Sequence, residues 1–84
     1  MRAYFITFRS ITFAQRGKAV LDQSGISNTM GRTPKWMEEK GCGYSLRIPA
    51  EAGPAAVALL ERWRVPYNKV YQRGPGEKLE ALDR

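Results

Sequence analysis

The chain has 84 residues, 43% of them hydrophobic and 26% charged, which is room for one small domain with one core. It contains no histidine and a single cysteine, Cys42, so Ser-His-Asp and Cys-His schemes, thiolate zinc sites and disulfides within one chain are excluded. Lys and Arg outnumber Asp and Glu by 14 to 8, a formal charge of +6 that favours anionic partners, although the positive residues are scattered from Arg2 to Arg84.

The longest apolar stretches, such as Ala55 to Leu60, are about a third of the ~20 residues that a membrane helix needs. Ala3 to Phe8 is too short for a signal core, contains Thr7 and is stopped by Arg9, so a cytoplasmic protein is expected. Residues 2–9 alternate, with Tyr4, Ile6 and Phe8 on one side and Phe5 and Thr7 on the other, which predicts a strand. Phe13, Gly17, Val20 and Leu21 then share one helical stripe, predicting a helix over 13–24. Thr12 with Gln15 fits a capping box, and Gly25 stands where a left-handed C-terminal cap is wanted.

Residues 26–32 read as a weaker strand, with Ile26, Asn28 and Met30 on one face and Gly31 lowering its quality. Thr33-Pro34 begins a short helical turn through Trp36 and Met37, closed by Gly41. Residues 44–48 form a clean strand with Tyr44, Leu46 and Ile48 on one face and Ser45 and Arg47 on the other. Pro49 ends it. Ala56, Leu59, Leu60 and Trp63 mark a second amphipathic helix over 54–64, with Trp63 expected to be buried. Pro66 stops that helix, and 69–72 reads as a last strand. Residues 1–73 are thus read as one domain. Residues 74–84, Gly-Pro-Gly and then a polar run, form a tail that is loose or a weakly docked short helix. The order strand, helix, strand, strand, helix, strand predicts an α+β, ferredoxin-like sandwich: a four-stranded antiparallel sheet with two helices on one face.

Gly41-Cys42-Gly43 is the most informative segment for chemistry. Flanking glycines free the backbone to aim N–H groups at one anion and leave the sulfur without bulky neighbours. Arg32, Lys35, Lys40 and Arg47 lie within ten residues and are placed to stabilise a thiolate. Against this, a helical 36–40 would put Cys42 at a helix C-terminus, whose dipole disfavours negative charge. Two readings stay open: a reactive thiol, with Trp36 and Met37 as a flap over it, or a small buried hydrophobe opening a strand. The outer sheet face gathers Phe5, Arg47, Lys69 and Tyr71, a sparse version of the stacking surface of RNA-binding modules, with no aromatic-rich RNP1 segment. No nucleic-acid binding is expected from it. Glu38 and Glu39 are adjacent and do not form an acid/base pair, and Gly74-Pro75-Gly76 lacks the lysine and hydroxyl of a phosphate loop. No catalytic residue, cofactor or metal site is identified, so no enzyme is expected.

The strand ending in Phe8, the helix start at Ser10 and Thr12, the Gly25-Ile26 exit, Pro34, Cys42-Gly43 leading into a strand, and Pro49 together resemble the selenium/sulfur carrier protein-like family of small bacterial domains. The resemblance spans about residues 3 to 73. It implies a non-catalytic protein whose thiol at Cys42, with Gly43 as the other motif residue, holds sulfur or selenium as a persulfide or selenide adduct. Where the family has small residues or serine before the cysteine, this chain has Glu38, Glu39, Lys40 and Gly41. The partners implied are sulfur- or selenium-transfer proteins, with the chain a monomer or weak homodimer. The alternative is an adaptor or subunit of a protein complex in which Cys42 is structural.

Overall fold

The computed structural model describes residues 3–32, 43–73 and 80–81. In chain order these form β1 (Ala3–Phe8), α1 (Ile11–Gln23), β2 (Thr29–Arg32), β3 (Tyr44–Pro49), a 3-10 turn (Ala50–Ala52), α2 (Gly53–Arg62), β4 (Val70–Arg73) and β5 (Glu80–Ala81). The sheet runs β2-β3-β1-β4-β5, and every pair given by its register is antiparallel. The first four strands and two helices make the expected ferredoxin-like arrangement. β5 was not expected: two residues of the polar tail pair with β4, Tyr71 opposite Ala81 and Gln72 opposite Glu80.

The period-two pattern of β1 sorts its side chains as anticipated. Ile6 stands between Leu46 and Val70, and Tyr4 between Ile48 and Gln72. Ile6, Phe8, Leu46, Ile48, Leu21 and Leu60 are fully buried, with Ala14, Ala56, Val65 and Val70 completing the core between sheet and helices. Tyr4, Phe13, Val20, Tyr44 and Leu59 pack around its rim.

Small residues allow the helices to sit close. A Cβ added at Gly17 would lie 3.0 Å from Phe8 Cζ and 3.3 Å from Leu60 Cδ2, so α1 meets the sheet and α2 at that point. A Cβ at Gly53 would run into the Tyr4 ring. Gly53→Ala should therefore lower stability by about 1–3 kcal/mol, the usual cost of overpacking, measurable as a lower denaturation midpoint with unchanged slope. An unchanged midpoint would mean that Tyr4 can swing away freely.

The helix ends correct two expectations. α1 begins two residues earlier than the pattern predicts, because Ser10, in extended geometry, is the N-cap: its Oγ accepts from the Phe13 N–H at 3.2 Å. Thr12 and Gln15 already lie inside the helix, so the predicted capping box is not formed. At the other end, the Ile26 N–H donates to the Leu21 carbonyl and the Gly25 N–H to that of Asp22, with Gly25 at φ 75°. This is a Schellman closure around the expected glycine. Asn28 ties the exit down, donating to the Asp22 carboxylate and the Ile26 carbonyl while accepting from Lys18. β2 thus starts only at Thr29.

Trp63 is the second correction, since it is 59% exposed. The predicted stripe assumed that α2 continues past Arg62. Instead Trp63 is the C-cap, and the buried residues of α2 are Gly53, Ala56 and Leu60. The core is completed by Val65, whose N–H returns to the Leu60 carbonyl while Arg64 N–H donates to Glu61. This is the α1 closure again, but with Arg64 in the left-handed position at φ 55°. A side chain there costs about 1–2 kcal/mol. Arg64→Gly should recover about 1 kcal/mol of this and raise the Tm by about 4–8 °C. A fall in Tm would show that the arginine side chain contributes more than the backbone loses.

Candidate functional site

Strand directions decide which loops share an end of the sandwich. Phe8 pairs with Tyr44, and Tyr44 with Arg32. The end of β1, the end of β2 and the start of β3 therefore meet. β4 begins at the same end, since Asn68 N–H donates to the Thr7 carbonyl at 2.7 Å and Thr7 N–H to the Lys69 carbonyl at 2.9 Å. The strand ends that the connection 33–42 links, the end of β2 and the start of β3, thus lie at the end of the sandwich that also holds Arg9, the N-terminus of α1 and the loop from α2 to β4. Cys42, Gly41, Lys35 and Lys40, together with the expected turn through Trp36 and Met37, lie outside the described residues.

The remaining sequence candidates are placed as follows. Arg32 ends β2 directly across from Tyr44, with its guanidinium carbon 5.8 Å from the centre of the Tyr44 ring. That is within the reach of a cation–π contact, so the ring holds this cation at the mouth of the connection. Gly43 has no left-handed φ, and a Cβ there would meet nothing within 4 Å. Its backbone is thus one that any residue can adopt, and no described neighbour crowds it. Arg47 stands apart. It is three residues along β3 from Tyr44, about 10 Å at strand spacing, exposed on the face away from the helices.

That outer face holds the second set of candidates. Arg47, Phe5 and Tyr71 fall on one register row across β3, β1 and β4, so the structure does bring them together. Yet Phe5 and Tyr71 are only half-exposed, while Thr7 (1%) and Ser45 (6%), paired with each other on the same face, are buried. Thr7 Oγ1 accepts from the Lys69 N–H at 3.0 Å. A face with its middle buried is a poor platform for stacking several bases.

Sequence reasoning missed a cleft of about 320 Å³ at the loop end, lined by Arg9, Phe13, Pro66, Tyr67 and Asn68. Tyr67 donates its hydroxyl to Glu61 Oε2 at 2.7 Å, and burial pushes its phenol up from the ordinary value. Only Phe13 was flagged by periodicity; the cleft joins two loops whose residues lie more than fifty apart, so no local pattern signals it. Among the described residues no cluster of three metal-ligating side chains occurs, and no helix is long and apolar enough to cross a membrane.

No curated protein and no solved structure matches the chain. Residues 3–72 do match the family described as "Putative Se/S carrier protein-like". The match begins with β1, takes in Cys42-Gly43 and ends within β4, so this chain, over nearly its whole length, belongs to that family.

Proposed function

We propose that the protein carries sulfur or selenium on Cys42 and passes it to a partner protein. Membership of the carrier-like family, through a match that includes Cys42-Gly43, is the observation that carries this reading. The chemistry is simple exchange. The Cys42 thiolate attacks the outer sulfur of a donor persulfide, one S–S bond forms at Cys42, the donor S–S bond breaks, and the donor leaves as a thiolate. A chain with one cysteine has no second thiol to resolve the adduct, so the persulfide persists until an acceptor thiol attacks it.

Two features of the loop end support an anionic adduct: Arg9 is exposed there, and α1 presents its N-terminus there. Intact mass tests the reading directly. After incubation with a desulfurase-type persulfide donor, and without reductant, the folded chain should gain the mass of one sulfur atom and lose it again to an acceptor thiol. A native thiol that stays unmodified and resists alkylation until the chain unfolds would eliminate the proposal and leave the adaptor reading.

A further inference from the structure

Ile11 (41%) and Trp63 (59%) are the large apolar side chains left exposed among the described residues, and both lie at one end of the sandwich. Ile11 opens α1 just after β1, and Trp63 caps α2 just before the loop into β4. That is the end from which the connection bearing Cys42 departs, and it also holds the cleft lined by Arg9, Phe13, Pro66, Tyr67 and Asn68. Scattered apolar exposure is ordinary, but here both side chains fall at the end that also holds a cleft.

The charge is as uneven as the apolar surface. Arg9, Arg32, Arg62 and Arg64 are exposed at this end. Of the acidic side chains described, only Glu61 is there, engaged by Tyr67, whereas Asp22 and Glu51 lie at the opposite end. By sequence, the 33–42 connection balances Lys35 and Lys40 with Glu38 and Glu39, so it does not reverse this polarity. Arginine pairs carboxylates in a fixed two-pronged geometry, and Trp with Arg is the combination that dominates binding energy in protein interfaces.

We propose that this loop end is the docking surface for an acidic segment of a partner protein. Trp63 and Ile11 are its apolar anchors, Arg9, Arg62 and Arg64 pair with the segment's carboxylates, and the cleft takes one apolar or aromatic side chain of the partner. A lipid surface is flat and would leave the cleft unfilled, and a phosphate backbone has no side chain to put in it. The inference rests on the carrier reading for its purpose, since docking here brings an acceptor or donor thiol to the end from which the connection bearing Cys42 departs.

The test is a titration of the isotope-labelled chain with a short peptide of Asp and Glu residues around one central phenylalanine. Amide shifts should concentrate in residues 9–13 and 61–69, and the affinity should fall as salt rises. Trp63→Ala, an exposed position, should fold normally and bind about tenfold or more weakly. Lys18→Ala, which removes one positive charge far from this surface, should bind as the wild type does. Absence of peptide binding, shifts centred on 22–28 or 49–53, or an unaffected Trp63→Ala would overturn the surface. So would a single-stranded oligonucleotide or an anionic vesicle that binds these residues more tightly than the peptide. Sulfur loading of the wild-type chain from a small-molecule persulfide is read separately by mass. Loading without peptide binding removes the docking surface alone, and peptide binding without loading removes the carrier reading alone.

Discussion

Phe8→Ala should remove a large share of the chain's stability. Phe8 is fully buried, its ring lies at the point where a Cβ on Gly17 would touch both it and Leu60, and it ends the central strand opposite Tyr44. Truncating such a residue costs about 3–5 kcal/mol, the lost transfer energy plus the cavity left behind. A domain of this length has only about 4–13 kcal/mol in total at ordinary stability per residue. Denaturant titration measures the loss, and Phe5→Ala, one strand position class away on the outer face, is the control. It should cost much less because that ring already meets solvent. A loss below about 1 kcal/mol for Phe8→Ala would mean that the helices do not close on the sheet where the structure has them.

Cys42→Ser should abolish sulfur acceptance and leave stability untouched. The hydroxyl is nearly isosteric with the thiol but forms no S–S bond and does not ionise near neutral pH, so the exchange step has no nucleophile. The registers on either side of the connection are set by β2 with β3 and by β1 with β3, and neither uses residue 42. Cys42→Ala should also unfold with the wild type, since a thiol serving as an exposed carrier contributes little packing. Appreciable destabilisation by alanine would instead mark the cysteine as a core residue.

The two-residue alternation of β1 and β3 was legible because each has one face against helices, and a one-residue slip would expose Ile6 or Leu46. The left-handed Gly25 was legible for the same reason that Arg64 was not: glycine advertises a positive φ, and arginine conceals one. That concealment also misplaced Trp63. With no visible stop at Arg62, the helical stripe ran on by one residue and claimed a side chain that the closing turn sends to solvent. The capping-box pattern points to Thr12 rather than Ser10, because position three after Ser10 is Phe13 rather than Glu or Gln, so only half of the usual signature is present. Of the candidate thiol site, the structure sets Arg32 and Gly43 at one end of the sheet, while Cys42 lies outside the described residues. Nearness in the chain also groups Arg47 with Arg32, whereas strand geometry puts Arg47 on the outer face, opposite Phe5. The pairing of β5 with β4 had no signal, since two residues carry no period.

The order in which the sheet can assemble follows from its central strand being the first in the chain. β1 pairs on one side with β3 and on the other with β4, and Thr7 meets Lys69 across 62 positions of sequence. Contacts of such separation close slowly, because the loop entropy is lost before the pairing is gained. On the ribosome, β1 emerges early with both edges unpaired; β3 can cover one once the residues through Pro49 are outside, and the other waits for the residues through Arg73. A chain stopped before Val70 would retain β1 with one bare edge, the geometry from which strands add to their neighbours and aggregate.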